Sequence, residues 1–215
     1  MKKMYGKKHD SWIRKMVLNI AGFSSHTYHF RISEIILLIV AIVLEIGSSL
    51  CLNSVKTICA GQCLLFAKLF ERARILQGSD TTWCFLPLFL NFIAVSSSLL
   101  LLRFISGGRT RSHFSCIQAL SLVSLSAFLV FLASGIISSG FLTFCDSFVI
   151  NRCNHGHFKA MDWRNFTPKY SDCGNAYLLL QSAQWCSWFA FALLFILCMI
   201  HATRLFFGLQ GSSSS

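Results

Sequence analysis

The sequence predicts an all-α integral membrane protein, a four-transmembrane-helix bundle with two disulfide-tied exoplasmic loops. Three observations carry this. Residues 34–55, 83–105, 117–144 and 177–203 form apolar runs of the length a helix needs to cross a bilayer. Of the 215 residues 54% are hydrophobic, 21 are Phe and only 13% are charged, which leaves too little polar surface for a soluble globule of this size. Cysteines gather in and beside the segments between the first and second runs and between the third and fourth. Unpaired backbone groups are costly in hydrocarbon, and these runs are too long and continuous for alternating barrel strands, so each is expected to be a helix.

Residues 1–33 form a basic amino-terminal segment carrying Lys2, Lys3, Lys7, Lys8, Arg14, Lys15 and Arg31 against the single acid Asp10. It is too long and too charged for the n-region of a cleaved signal peptide, and Glu45 interrupts the apolar run behind it, so the first helix is expected to stay as a signal anchor. Ser11 is placed to cap a short helix with Trp12, Ile13, Met16, Val17 and Ile20 on one face and Arg14, Lys15 and Asn19 on the other. That pattern suits the inner membrane surface and contact with anionic inner-leaflet lipid. The competing expectation is a disordered basic tail that only enforces topology.

In the first span (34–55) Glu45 lies at about 16 Å from the inner end at 1.5 Å per residue, near mid-bilayer, where an ionised carboxylate costs several kcal/mol unless it is paired or protonated. Asn91 in the second span (83–105), counted back from Arg103, lies at about 18 Å and is the expected hydrogen-bond partner. A protonated Glu45 bonded to Asn91 would fix helix register; a proton or cation site is the functional alternative. Between these spans the loop at 56–82 has Phe66, Leu69, Phe70, Ala73 and Leu76 at helical spacing, with Lys68, Glu71 and Arg72 opposite, which predicts a short amphipathic helix, a strand being the alternative.

A short loop at 106–116 leads to the third span (117–144), where Ser124, Ala127, Ser134 and Ser138 recur at spacings that let helices approach closely. At about 28 residues this run exceeds what a bilayer requires, so it is expected to tilt or to project outward and support the loops. The loop at 145–176 contains Asn165-Phe166-Thr167, an N-glycosylation sequon followed directly by Pro168, which lowers occupancy. The fourth span (177–203) repeats the small-residue pattern at Ala183, Ser187 and Ala190, and residues 204–215 are expected to form a short cytosolic tail whose Gly-Ser run at 211–215 predicts flexibility.

Lys and Arg set the expected orientation. The amino-terminal segment and the connection between the second and third spans, with Arg103, Arg109 and Arg111, carry the basic excess, which puts both termini in the cytosol. The other two loops mix Lys56, Lys68, Arg72 and Arg74 with Glu71 and Asp80, and Arg152, Lys159, Arg164 and Lys169 with Asp146, Asp162 and Asp172. The net charge of +11 is thus a topology signal in a plasma membrane or secretory-pathway membrane, not the mark of a nucleic-acid partner.

Cys59, Cys63, Cys84, Cys145, Cys153 and Cys173 fall in or beside the two loops expected in an oxidising compartment, and an even set of six suggests three bridges. Six cysteines allow fifteen pairings. Cys63 with Cys84 would staple the first loop to the start of the second span, Cys145 with Cys153 would close a short loop beyond the third, and Cys59 and Cys173 would then join the two loops, with Cys51 as a competitor. A zinc site of Cys59, Cys63, His155 and His157 is the rival; its Cys-x3-Cys and His-x-His spacings match no compact metal motif.

Cys63-Leu64-Leu65-Phe66, Cys84-Phe85, the run Ser126-Ala127-Phe128-Leu129-Val130-Phe131-Leu132-Ala133-Ser134 ending in Gly140-Phe141 and Cys145-Asp146, and Gln184-Trp185 with Ser187-Trp188 appear in an order that resembles the transmembrane protein 179 family of four-helix membrane proteins, over roughly residues 34–204. The resemblance implies loop cysteines at Cys63, Cys84, Cys145 and Cys153 and supports the first two bridges. It implies nothing for Cys59, Cys173 or the basic amino-terminal extension, and it brings no established activity. Four-helix proteins of the claudin type build a small sheet from the first loop, although the Trp and Cys pattern expected of claudins is absent here.

The function expected is that of a non-enzymatic tetraspan that binds other membrane proteins or itself through its loops and helix faces, with no cofactor and no metal. A small oligomeric channel or transporter using Glu45 is the alternative; the absence of broken helices, inverted repeats and further intramembrane charge argues against it. No nucleophile, base and metal ligand gather at one membrane depth, which argues against an enzyme.

Overall fold

In the computed structural model the backbone is described at residues 3–59, 61–70, 75–107, 113–148, 153, 155–165 and 173–212, and side chains within these at 31–59, 61–70, 75–107, 117–148, 153, 156, 159–163, 165 and 173–206. Two compact units divide the chain, Met1–Ile36 and Leu37–Ser215. The elements are α1 (Lys3–Ile58), β1 (Cys63–Phe70), β2 (Ile75–Ser79), α2 (Thr81–Ser106), α3 (His113–Asp146), α4 (His155–Ala160) and α5 (Ala176–Ser212). Among the described residues four stretches are long and apolar enough to cross a membrane: Arg31–Ile58, Thr81–Ser106, Ile117–Asp146 and Cys173–Phe206.

In the first unit Ser11 lies inside α1, which begins at Lys3, so it does not cap the helix as expected. The faces proposed for Trp12 through Ile20 lie outside the described side chains.

In the second unit α3 packs along both α2 and α5. Lipid is as apolar as Leu, so helices in a bilayer gain little from burying large aliphatic groups against each other and associate through close packing and hydrogen bonds instead. The α3–α5 seam follows that logic. Ser134 and Ser187 share a hydroxyl–hydroxyl bond of 2.6 Å, Ser138 accepts from the Trp188 indole N–H at 2.9 Å, and Ser124 lies 3.2 Å from the Cys198 sulfur. Ala183 and Ala190 are fully buried. The α2–α3 seam has a matching bond, Ser97 to Ser126 at 2.6 Å.

Leu101, Val130 and Leu194 are buried along the spans as well, and a continuous cluster of apolar side chains lies at the disulfide-bearing end. Leu52 and Val55 of α1, Leu64, Leu65, Leu69 and Leu76 of the sheet, Ile137, Phe141 and Phe144 of α3, Trp163 and Leu180 form one buried cluster. Here loops would otherwise meet water, and the hydrophobic effect operates at full strength.

The first loop is a strand hairpin, not the amphipathic helix expected. β1 and β2 pair antiparallel, with Leu69 opposite Leu76 and Phe70 opposite Ile75, and the register shifts between Cys63 and Lys68. Ala67 and Leu69 point inward while Lys68 and Phe70 point out, the two-residue period of a half-buried strand. Ala73, assigned to the expected helix, lies outside the described residues. Phe66 sits inside the shifted stretch with φ of 60°, a left-handed conformation that is unusual for a bulky residue. Its ring packs on Trp83 at 4.8 Å between centroids.

Candidate functional site

The hairpin is tied to the helices by a disulfide, by hydrogen bonds and by its buried face. Gly61, with φ of 80°, turns the chain out of α1, its N–H donating to the Lys56 carbonyl at 2.8 Å. Two residues later β1 begins. Cys63 of β1 is bonded to Cys84 in the first turn of α2, and Cys59 just past α1 is bonded to Cys173 just before α5. Cys145 near the end of α3 is bonded to Cys153. These bonds use both thiols of the zinc set considered from sequence. Among the described residues no group of three or more His, Cys, Asp or Glu could hold a metal ion. Cys51, Cys186 and Cys198 are free thiols, and the Cys116 side chain lies outside the described ones.

Noncovalent contacts complete the seat. The Leu69 N–H donates to Ser147 Oγ at 3.0 Å, Ser147 Oγ donates to the Phe144 carbonyl at 2.6 Å, and Ser79 Oγ donates to the Leu65 carbonyl. Asp80 caps α2, its carboxylate accepting from Thr82 N–H at 3.1 Å and Thr82 Oγ1 at 3.0 Å. These bonds, the backbone one first, hold the Asp80 carboxyl below the usual carboxylate range despite full exposure. Buried leucines thus face the helices, while Phe70 (49% exposed) and Ile75 (43% exposed) stand side by side on the outer face.

Within the bundle Glu45 and Asn91 are both buried, at 0% and 1% exposure. They do not bond to one another, contrary to the sequence expectation. The Asn91 side-chain amide donates to Ser49 Oγ at 3.3 Å, and Ser49 Oγ donates to the Glu45 backbone carbonyl at 3.0 Å. Ser48 faces the other way and donates to the Ala183 carbonyl of α5 at 3.0 Å. Both Glu45 carboxyl oxygens and Asn91 Oδ1 have no hydrogen-bond partner among the described residues. The reason is rotational: Ser49, one turn beyond Glu45, reaches the amide first. Sequence reasoning missed Ser48 and Ser49, although Ser49 at i+4 from Glu45 was the available signal.

Asn165 is exposed at the end of a 3-10 turn, Trp163–Asn165, and its amide donates to Asp162 Oδ2 at 2.5 Å. Phe166, Thr167 and Pro168 of the sequon lie outside the described residues, as do the His155 and His157 side chains.

Against this geometry, four spans with a disulfide-tied two-stranded sheet on one end, the family profile for the Transmembrane protein 179/179B Claudin domain matches residues 30–210. The chain belongs to this family. No curated protein and no solved structure matches it. The claudin-domain match begins at the start of the first span, takes in the sheet, the three disulfides and all but the last two residues of α5, and leaves residues 1–29 and 211–215 outside. The sheet agrees with the claudin part of the family's description, even though the loop sequence suggested a helix.

Proposed function

We propose that this claudin-domain tetraspan is a non-enzymatic binding or accessory protein whose exoplasmic hairpin docks another membrane protein. The supporting observation is the seat of the hairpin. The Cys63–Cys84 disulfide, a close contact with α3 and a buried leucine face hold it, while Phe70 and Ile75 are left outside, paired across the strands. A large apolar pair held rigidly in water is a recognition surface at low ordering cost. Proximity labelling in native cells, followed by co-purification, tests this. Phe70→Ser with Ile75→Ser should remove specific partners while the protein still reaches its membrane; an unchanged set of partners would show that the hairpin is not the docking element.

The charge distribution supports cytosolic termini, with the basic amino-terminal segment on anionic lipid and the sheet outside. A tag at either end that stains in unpermeabilised cells would reverse this orientation. Modification at Asn165 belongs to the same reading and is checked by a mobility shift on glycosidase treatment.

A second reading, a small oligomeric channel or transporter, is favoured by the Glu45 carboxyl, buried with no hydrogen-bond partner among the described residues. A proton- or cation-dependent current in reconstituted liposomes that Glu45→Gln abolishes, in protein that stays folded, would move this reading ahead of the first.

A further inference from the structure

We infer that the C-terminal end of α2 is a binding site for an anionic glycerophospholipid of the adjoining leaflet, with Arg103 as its headgroup contact. A cavity of about 500 Å³ opens there, lined by Leu100, Arg103, Phe104, Ser106 and Gly107. That volume lies in the range of small-molecule sites. Along the helix axis Leu100 lies about 4.5 Å deeper than Arg103 at 1.5 Å per residue, toward the acyl chains, while Phe104 stands level with the guanidinium and Ser106 and Gly107 lie toward the headgroups.

Charge selects the headgroup. Arg103 is exposed and no carboxylate pairs with it among the described residues. No Asp or Glu occurs between Asp80 and Asp146 in the sequence, and Arg109 and Arg111 follow within eight positions. A helix C-terminus by itself repels a phosphate through its free carbonyls. Here the Arg103 carbonyl already accepts from the Gly107 N–H at 3.1 Å and from Ser106 Oγ at 3.2 Å, which blunts that repulsion. The guanidinium fork can then hold two phosphate oxygens at once. A free phosphate would use Arg103 and leave Leu100 and Phe104 unfilled, whereas a lipid fills both parts. Basic pockets at the ends of membrane helices bind anionic headgroups for these reasons.

The full chain, released from nanodiscs containing phosphatidylinositol 4-phosphate, phosphatidylserine and phosphatidylcholine, would be weighed with its retained lipids by native mass spectrometry. The wild type should retain the anionic lipids over phosphatidylcholine. Arg103→Gln should lower that retention about fivefold, the worth of one basic residue at an anionic surface, without changing phosphatidylcholine. Leu100→Trp keeps the charge but fills the cavity and should also lower it, which carries the test if Arg103→Gln fails to fold. Equal retention of anionic and zwitterionic lipid, or retention unmoved by either folded variant, would overturn the site. Inorganic phosphate binding that Arg103→Gln abolishes and Leu100→Trp spares, in a wild type that retains anionic and zwitterionic lipid equally, would overturn the lipid in favour of a bare anion. None of these outcomes depends on the hairpin or on its partner.

Discussion

A Cβ built on Gly140 would come within 2.9 Å of Leu65 Cβ and 3.0 Å of both Leu65 Cδ2 and Phe66 Cε2, so α3 and β1 meet at a distance that only glycine permits. Leu65 Cβ is fixed to the strand backbone and cannot swing aside. The strand that carries the hairpin is therefore seated on α3 through a missing side chain, not through a larger one.

Replacing that glycine should loosen the sheet before it affects the spans. Gly140→Ala is expected to destabilise by about 1–3 kcal/mol through overpacking, and Gly140→Leu to unseat β1. Thermal unfolding in detergent would show the loss, together with faster reduction and alkylation of Cys63 and Cys84. A melting temperature equal to wild type for Gly140→Leu would mean that the contact does not seat the strand.

The partner found for Asn91 reverses the expectation for its neighbour. Because the amide bonds to Ser49, Glu45→Leu leaves no new orphan donor and removes two buried oxygens that have no partner among the described residues; stability should hold or rise. Asn91→Ala should instead cost roughly 0.5–2 kcal/mol, the range for a hydrogen bond between membrane helices. Melting of both variants in the same micelle checks the order, and a less stable Glu45→Leu would show that the carboxyl is bonded in the membrane.

Cys59→Ser with Cys173→Ser removes the bridge that closes 114 residues. Its loss should cost about 2–5 kcal/mol, more than loss of Cys145–Cys153, which closes only 8. Non-reducing peptide mapping should recover three linked pairs and alkylated Cys51, Cys186 and Cys198. Equal stability of the two bridge-deleted proteins would contradict this ranking.

Asp80 should make the start of α2 sensitive to acid. A carboxyl held below its unfolded value stabilises above that value and loses its effect as pH falls through the lowered folded one. The gap in melting temperature between wild type and Asp80→Asn should therefore be present at neutral pH and shrink on acidification. A gap independent of pH would exclude the cap charge as its source.

The spans were legible because continuous apolar runs of more than 20 residues admit only one solution in lipid. The hairpin was not. Phe66, Leu69, Phe70 and Leu76 satisfy a helical period by chance, and the strand alternation is hidden because Cys63, Leu64 and Leu65 are all buried before the shift at Phe66. Counting residues along α1 and α2 brought Glu45 and Asn91 to a common depth, but depth says nothing of rotation about the helix axis, and one turn decides which side chain meets the amide. The Arg103 cavity leaves no pattern in the sequence beyond basic residues that also serve as a topology signal.

The Cys59–Cys173 bond joins the end of the first span to the start of the last and so turns the intervening chain into a closed ring. A cut in the short connection between α2 and α3, at 108–112, would leave two pieces still covalently joined, each holding one of the other two bridges internally. The protein is thus suited to being made as separate halves, residues 1–109 and 110–215, that weld themselves together after insertion: a single band without reductant, two with it.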